Sequence, residues 1–288
     1  MKLHIIDTGY FKLDGGAMFG IVPKSMWNKI NPADENNLCT WSMRCLLIED
    51  GDRKILVDTG MGNKQDEKFR SHFHPHGKEN ISDSLSRVGF STEDITDVFL
   101  THFHFDHVGG ALYNDAQGNT ETMFPNATYW SNEVHYKWAM EPNAREKASF
   151  LKENFVPLRE RNRLKFIDVE EGVHFTDSIK VRFVYGHTEA MMLPEIHIAD
   201  GKKIIFTADL IPSAGHVRMP YVMAYDLRPL VTLDEKASLY EQILDDDTFL
   251  FFEHDPVNTC GKLTRNDRGR YGIEAYSSLE PLGFPLHI

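Results

Sequence analysis

The chain has 288 residues, with 43 Asp and Glu against 31 Lys and Arg, a formal net charge of −12, 41% hydrophobic and 26% charged residues. That is the make-up of an ordinary globular protein with enough chain to bury a substantial core, and it excludes the disordered and fibrous classes. The acidic balance argues against nucleic acid as a partner, and no run reaches the ~18 apolar residues of a membrane span.

Along the chain, the opening apolar run is broken by Asp7, unlike the hydrophobic stretch of a secretory leader. Cys39, Cys45 and Cys260 are too few and too scattered for a disulfide framework or a four-cysteine zinc site. A cytoplasmic protein with reduced thiols is expected. Residues 43–49 and 54–57 are β-rich and flank Asp50-Gly51-Asp52-Arg53, a hairpin signal. His72, His74 and His76 lie in a polar stretch and read as a solvated loop rather than an accessory metal binder. Residues 80–89 predict a short helix, with Asp94 in the loop after it, and residues 97–100 a short buried strand.

From 131 to about 165 the sequence is charged and helix-compatible, and Pro142 and Pro157 break it into pieces. Its Trp138, Met140, Phe150 and Phe155 are expected to pack as core. Residues 181–185, 204–206 and 249–252 are further strand candidates, and Asp245-Asp246-Asp247 reads as a surface turn before the last of them. No repeat or linker divides the chain, so one domain over 1–288 is expected.

The segment Thr101-His102-Phe103-His104-Phe105-Asp106-His107-Val108-Gly109-Gly110 carries the chemistry. In an extended stretch His102 and His104 point the same way, because side chains alternate. Asp106 and His107 follow where the chain turns, and Gly109-Gly110 permits a close turn into the next element. Imidazoles with a carboxylate suit zinc, and accept manganese or iron as well. Three further apolar runs end in ligand-type residues, at His187, at Asp209 and at His254-Asp255, as where loops at strand ends gather a site.

In this order and spacing the sequence resembles the metallo-β-lactamase superfamily, from about residue 40 to about residue 260. Ile55-Leu56-Val57-Asp58-Thr59-Gly60 resembles the first motif of that family, the segment 102–107 the second, and His187, Asp209 and His254 the remaining three. The resemblance implies an α/β fold, the four-layer αββα sandwich, with a helical insertion near 131–165. It also implies two divalent metals. His102, His104 and His187 would hold one and Asp106, His107 and His254 the other, with Asp209 bridging and Asp58 supporting the ligands from behind. A hydroxide shared by the two metals is the implied nucleophile, with Asp106 and Asp209 as the catalytic carboxylates.

The segment His104–Gly110, the metal-binding arm, and the insertion resemble the lactonase-like branch, whose acyl-homoserine lactonases have a Tyr three residues after the bridging Asp; this chain has Pro212 there. His216, Tyr221 and Tyr225 are the candidates to contact substrate in its place. The leading expectation is hydrolysis of a lactone or carboxylic ester, a small-molecule substrate. A phosphodiesterase or organophosphate hydrolase is the alternative, and a di-iron redox or oxygen-binding protein the reading from another class. Nothing in the composition calls for a membrane partner, and the insertion leaves room for a homodimer.

Overall fold

The computed structural model describes residues 1–245 and 247–284. Among the described residues the chain forms two compact units, one of Met1–Gly9 with Met43–Glu170, the other of Tyr10–Ser42 with residues 171–284. The strands, in chain order, are β1 (Lys2–Asp14), β2 (Leu38–Asp50), β3 (Arg53–Val57), β4 (Asp97–Phe99), β5 (Leu112–Asn114), β6 (Thr120–Thr122), β7 (Thr128–Ser131), β8 (Leu164–Phe166), β9 (His174–Thr176), β10 (Ile179–Val184), β11 (Met191–His197), β12 (Lys203–Phe206), β13 (Thr248–Phe251), β14 (Cys260–Arg265) and β15 (Tyr271–Tyr276).

One sheet has the order β1-β2-β3-β4-β7-β8. The expected hairpin is its β2–β3 pair, closed between Asp50 and Arg53. From β3 onward the neighbours are parallel, so Asp58, His102 and the start of the insertion all leave the sheet at the same edge. Burial drives the packing beneath: Leu47, Leu56, Val98, Tyr129 and Leu164 share one core with Phe103, Phe150 and Phe155, and Trp138 and Met140 lie against it. The insertion aromatics are therefore core, as their composition suggested. The insertion itself holds only short helices, Glu133–Met140 and Val156–Glu160. Asn132 caps the first by accepting from the His135 N–H, and a proline opens the second. The helix predicted over 80–89 spans Ile81–Arg87, and Asp94 closes the loop after it by accepting from the N–H and hydroxyl of Ser91.

The other sheet has the order β15-β14-β13-β12-β11-β10-β9. β12 and β13 are parallel. β10 is antiparallel to β11, and β11 to β12. The C-terminal ends of β10, β12 and β13 consequently share one edge, and each delivers one expected ligand there. An aromatic cluster of Phe19, Trp27, Trp41, His216 and Tyr221 fills part of the same unit.

Cys39, Cys45 and Cys260 are buried and unpaired by disulfides, and burial pushes the Cys39 thiol up to about 11. Of the acidic run before β13, Asp245 accepts from the backbone of Asp247 and Thr248, while Asp246 lies outside the described residues. Among the described residues no helix is long and apolar enough to cross a membrane.

Candidate metal centre

In the first unit the expected arm leaves β4 and is buried throughout residues 101–110. The ring centroids of His102 and His104 lie 4.5 Å apart, and those of His102 and His107 4.0 Å apart. Asp106 Oδ2 is 3.9 Å from His107 Nε2. Asp58 stands behind this arm, as its place in the first motif predicts. Its carboxylate accepts from the Thr101 N–H at 2.8 Å, the Thr101 hydroxyl at 2.6 Å and His107 Nδ1 at 3.0 Å. Because the Thr101 hydroxyl donates to Asp58, it accepts from His102 Nδ1 at 3.0 Å. Both rings are thereby fixed with the proton on Nδ1, which turns Nε2 toward a metal.

The glycines after the arm serve a close approach rather than a special turn. A Cβ on Gly109 would lie 2.0 Å from the Met61 carbonyl oxygen, and one on Gly110 2.2 Å from that of Thr59. Only a bare backbone lets the first and second motifs touch here. Asp58 pays for its position with a left-handed φ of 58°, and Ala208, which precedes Asp209, has φ 40°. Strain of this kind persists where surrounding contacts enforce it.

In the second unit Asp209, after β12, turns one carboxylate oxygen to each of two histidines. Oδ2 lies 3.0 Å from His187 Nε2 and Oδ1 3.1 Å from His254 Nε2. Each ring is fixed from its far side: His187 Nδ1 donates to Asp226 at 2.8 Å, and His254 Nδ1 to the Ser42 carbonyl at 2.8 Å. Burial disfavours charge on His187, but Asp209 and Asp226 outweigh it and hold the ring at about 10.

The three candidate substrate contacts separate. His216 is buried, with Nε2 donating to the Met18 carbonyl at 2.9 Å, Nδ1 accepting from Ser213 at 2.7 Å, and its face stacked on Phe19. Both nitrogens are engaged inside the protein, and these bonds fasten the loop to Met18. Tyr225 is exposed. Tyr221 is buried, yet its hydroxyl has no hydrogen-bond partner among the described residues. The loop carrying it is tied down by Lys236, whose ammonium donates to the carbonyls of His216, Arg218 and Tyr221. His72, His74 and His76 are exposed where the helix Glu67–Phe73 ends, and among the described residues none belongs to a cluster able to hold an ion.

Sequence reasoning missed Thr101, Asp226 and the Ser42 carbonyl. Thr101 adjoins the arm and could have been read as a hydroxyl relay. Asp226 stands in an apolar loop with no spacing rule to mark it, and a backbone carbonyl leaves no sequence signal.

The donors are imidazole and carboxylate throughout, buried, with tautomers set by fixed acceptors, a set that fits divalent metals. Residues 44–254 match the model of the metallo-β-lactamase superfamily. An N-acyl homoserine lactonase of Bacillus cereus is 24% identical over 266 residues, covering 88% of this chain and 93% of its own. Among solved structures, a probable metal-dependent hydrolase from Staphylococcus aureus superposes with a TM-score of 0.84 at 27% identity, over 96% of both chains. A dizinc quorum-quenching lactonase superposes with a TM-score of 0.76 at 22% identity, over 96% of this chain and 94% of that one. The chain belongs to the metallo-β-lactamase superfamily and has its fold. Within it the chain is a metal-dependent hydrolase.

Proposed function

We propose that the chain hydrolyses a lactone or another carboxylic ester with two divalent metals, zinc by preference, held jointly by His102, His104, Asp106, His107, His187, Asp209 and His254. The observation that carries this reading is the Asp209 carboxylate, which offers a different oxygen to each of two oriented histidines, an arrangement open to a residue shared by two cations. The family pattern supports assigning His102, His104 and His187 to one metal and Asp106, His107 and His254 to the other. The imidazole and carboxylate donors suit zinc, and a structural neighbour is a dizinc lactonase. The lactonase relatives support the substrate class.

When bound, the metal pair supplies Lewis acidity and a water acidic enough to act near neutral pH. Asp106, on the arm beside His107, holds or passes on the proton that this water loses. Asp58 and Asp226 keep the ligand rings turned inward throughout. Tyr221 stands in for the tyrosine that Pro212 replaces. A buried tyrosine hydroxyl ordinarily finds a partner, and the substrate carbonyl is the partner we assign to it.

The test is hydrolysis by zinc-loaded protein of a matched panel of lactones, aryl esters and phosphodiesters, with Asp209→Ala as control. A preference for lactones, lost in the control, is expected. A preference for phosphodiesters would overturn the ester reading, and activity on none with two metals bound would place the substrate outside both classes.

A further inference from the structure

Tyr221 ends a tight turn. Its N–H donates to the Arg218 carbonyl at 3.0 Å, closing Arg218-Met219-Pro220-Tyr221. Its ring packs at right angles to Phe19, 6.2 Å between centroids, and lies 5.7 Å from the Arg218 guanidinium. Its hydroxyl is buried without a hydrogen-bond partner among the described residues. The backbone of the same loop is held by the helix Pro229–Ile243. Lys236 Nζ donates to the carbonyls of His216 at 2.7 Å, Arg218 at 3.1 Å and Tyr221 at 3.1 Å. Tyr240, one helical turn on, donates its hydroxyl to the Val217 carbonyl at 2.6 Å.

Lys236 is wholly buried, a rare place for a lysine. Burial pushes its ammonium down to about 7, and Asp226 pulls the other way. A methionine would fill much the same space with no charge to bury. What the ammonium adds is three N–H donors, and each meets a different carbonyl. Two of those carbonyls, of Arg218 and Tyr221, are the first and last of the turn. The ammonium therefore fixes the direction in which the Tyr221 side chain leaves the backbone, and Phe19 and Arg218 then fix the ring.

We propose that Lys236 is a positioning residue for the hydrolysis: by bridging the two ends of the 218–221 turn it holds the Tyr221 hydroxyl where the substrate carbonyl meets it. The inference rests on the reading of Tyr221 as a substrate contact given above. Position decides the worth of such a hydroxyl, because a displacement of about 1 Å forfeits much of what a preorganised donor contributes. Tyr240 adds a single bond to the same loop, at a residue outside the turn.

A double-variant comparison tests this in the zinc-loaded full chain at pH 6.5, below the value of about 7 at which Lys236 loses its charge. The substrate is phenyl acetate or γ-butyrolactone, whichever the wild type turns over faster. Tyr221→Phe should lower kcat/KM roughly tenfold, the loss of one hydrogen bond to the reacting carbonyl. Lys236→Met should lower it by about as much with the zinc content unchanged. Added to Tyr221→Phe it should cost no more than about twofold further, because the group it positions is already gone. A merely structural role would multiply the two losses, to roughly a hundredfold. That product, or wild-type kcat/KM in Lys236→Met, or loss of zinc from it, would overturn the proposal. If Lys236→Met fails to fold, Tyr240→Phe takes its place: a loss of roughly threefold is expected, absent on the Tyr221→Phe background, and a loss of the same size on both backgrounds counts against the proposal. A wild type that turns over neither ester, or a Tyr221→Phe variant as active as wild type, sinks the reading of Tyr221 and this inference together. An impaired Tyr221→Phe with multiplying losses sinks only the inference.

Discussion

The two units supply the proposed ligands by different constructions. In the first, His102, His104, Asp106 and His107 come from one short arm, and a single carboxylate, Asp58, reaches the arm at three points. In the second, His187, Asp209 and His254 come from the ends of three strands, and each histidine has its own support, Asp226 for one and the Ser42 carbonyl for the other. Shared support makes the first construction vulnerable to one substitution, and separate supports make the second fail piecemeal. The exception in the second unit is Asp209, which both of its histidines face.

The comparison breaks hardest there. Asp209→Ala removes the one group common to both second-unit histidines, and on the proposed reading the link between the metals. Losing the charge stabilisation of a metal pair costs several kcal/mol in the transition state, roughly a thousandfold or more in kcat/KM. Steady-state kinetics alongside metal analysis of the purified variant check this; two tightly held zincs and near-normal turnover would remove Asp209 from the bridging role.

Asp58→Ala comes next. It unseats His107 directly and His102 through Thr101, so metal affinity should fall by the upper end of the 10–100-fold range for such supports. It also strands buried donors, at about 3 kcal/mol of stability in a denaturant titration. Asp226→Asn touches only His187 and leaves an amide oxygen that can still accept from Nδ1, so a loss of about tenfold in metal affinity is expected. If Asp226→Asn proved as damaging as Asp58→Ala in chelator competition, the contrast between shared and separate support would be wrong.

The same contrast explains what could be read in advance. Four ligand types within six residues after an apolar strand cannot be mistaken for core, so the first unit's ligands stood out by density. His187, Asp209 and His254 are far apart in the chain, and only their shared position after apolar runs suggested them. Glu146 lies in the charged stretch from 131 to 165, where nothing in the sequence marks it, yet it is buried and accepts from Trp138. The long β1 and the pair β14–β15 were not anticipated either. β1 and β15 are edge strands of their sheets, and β15 is nowhere buried along its length, so the alternation that marks a half-buried strand is weak in it.

The smallest expected effect concerns the loop between Asp209 and Asp226, and it appears in stability rather than catalysis. Burial pushes His216 down to about 3, so the folded chain keeps this ring neutral, as its hydrogen bonds to Met18 and Ser213 require. The unfolded chain protonates it near its ordinary value of about 6.5. Between those two values the unfolded state holds the extra proton, and stability falls as pH falls. The contribution is intact above about pH 6.5, and at pH 5 the loss should be about 2 kcal/mol. His216→Gln removes the titrating group, and whatever it costs at neutral pH, its unfolding free energy measured on metal-free protein should decline less steeply between pH 7 and pH 5 than that of the wild type. Parallel curves for the two proteins would mean that His216 takes up its proton without leaving the fold, and that the loop's other contacts, among them those of Lys236, Tyr240 and Asp255, hold it.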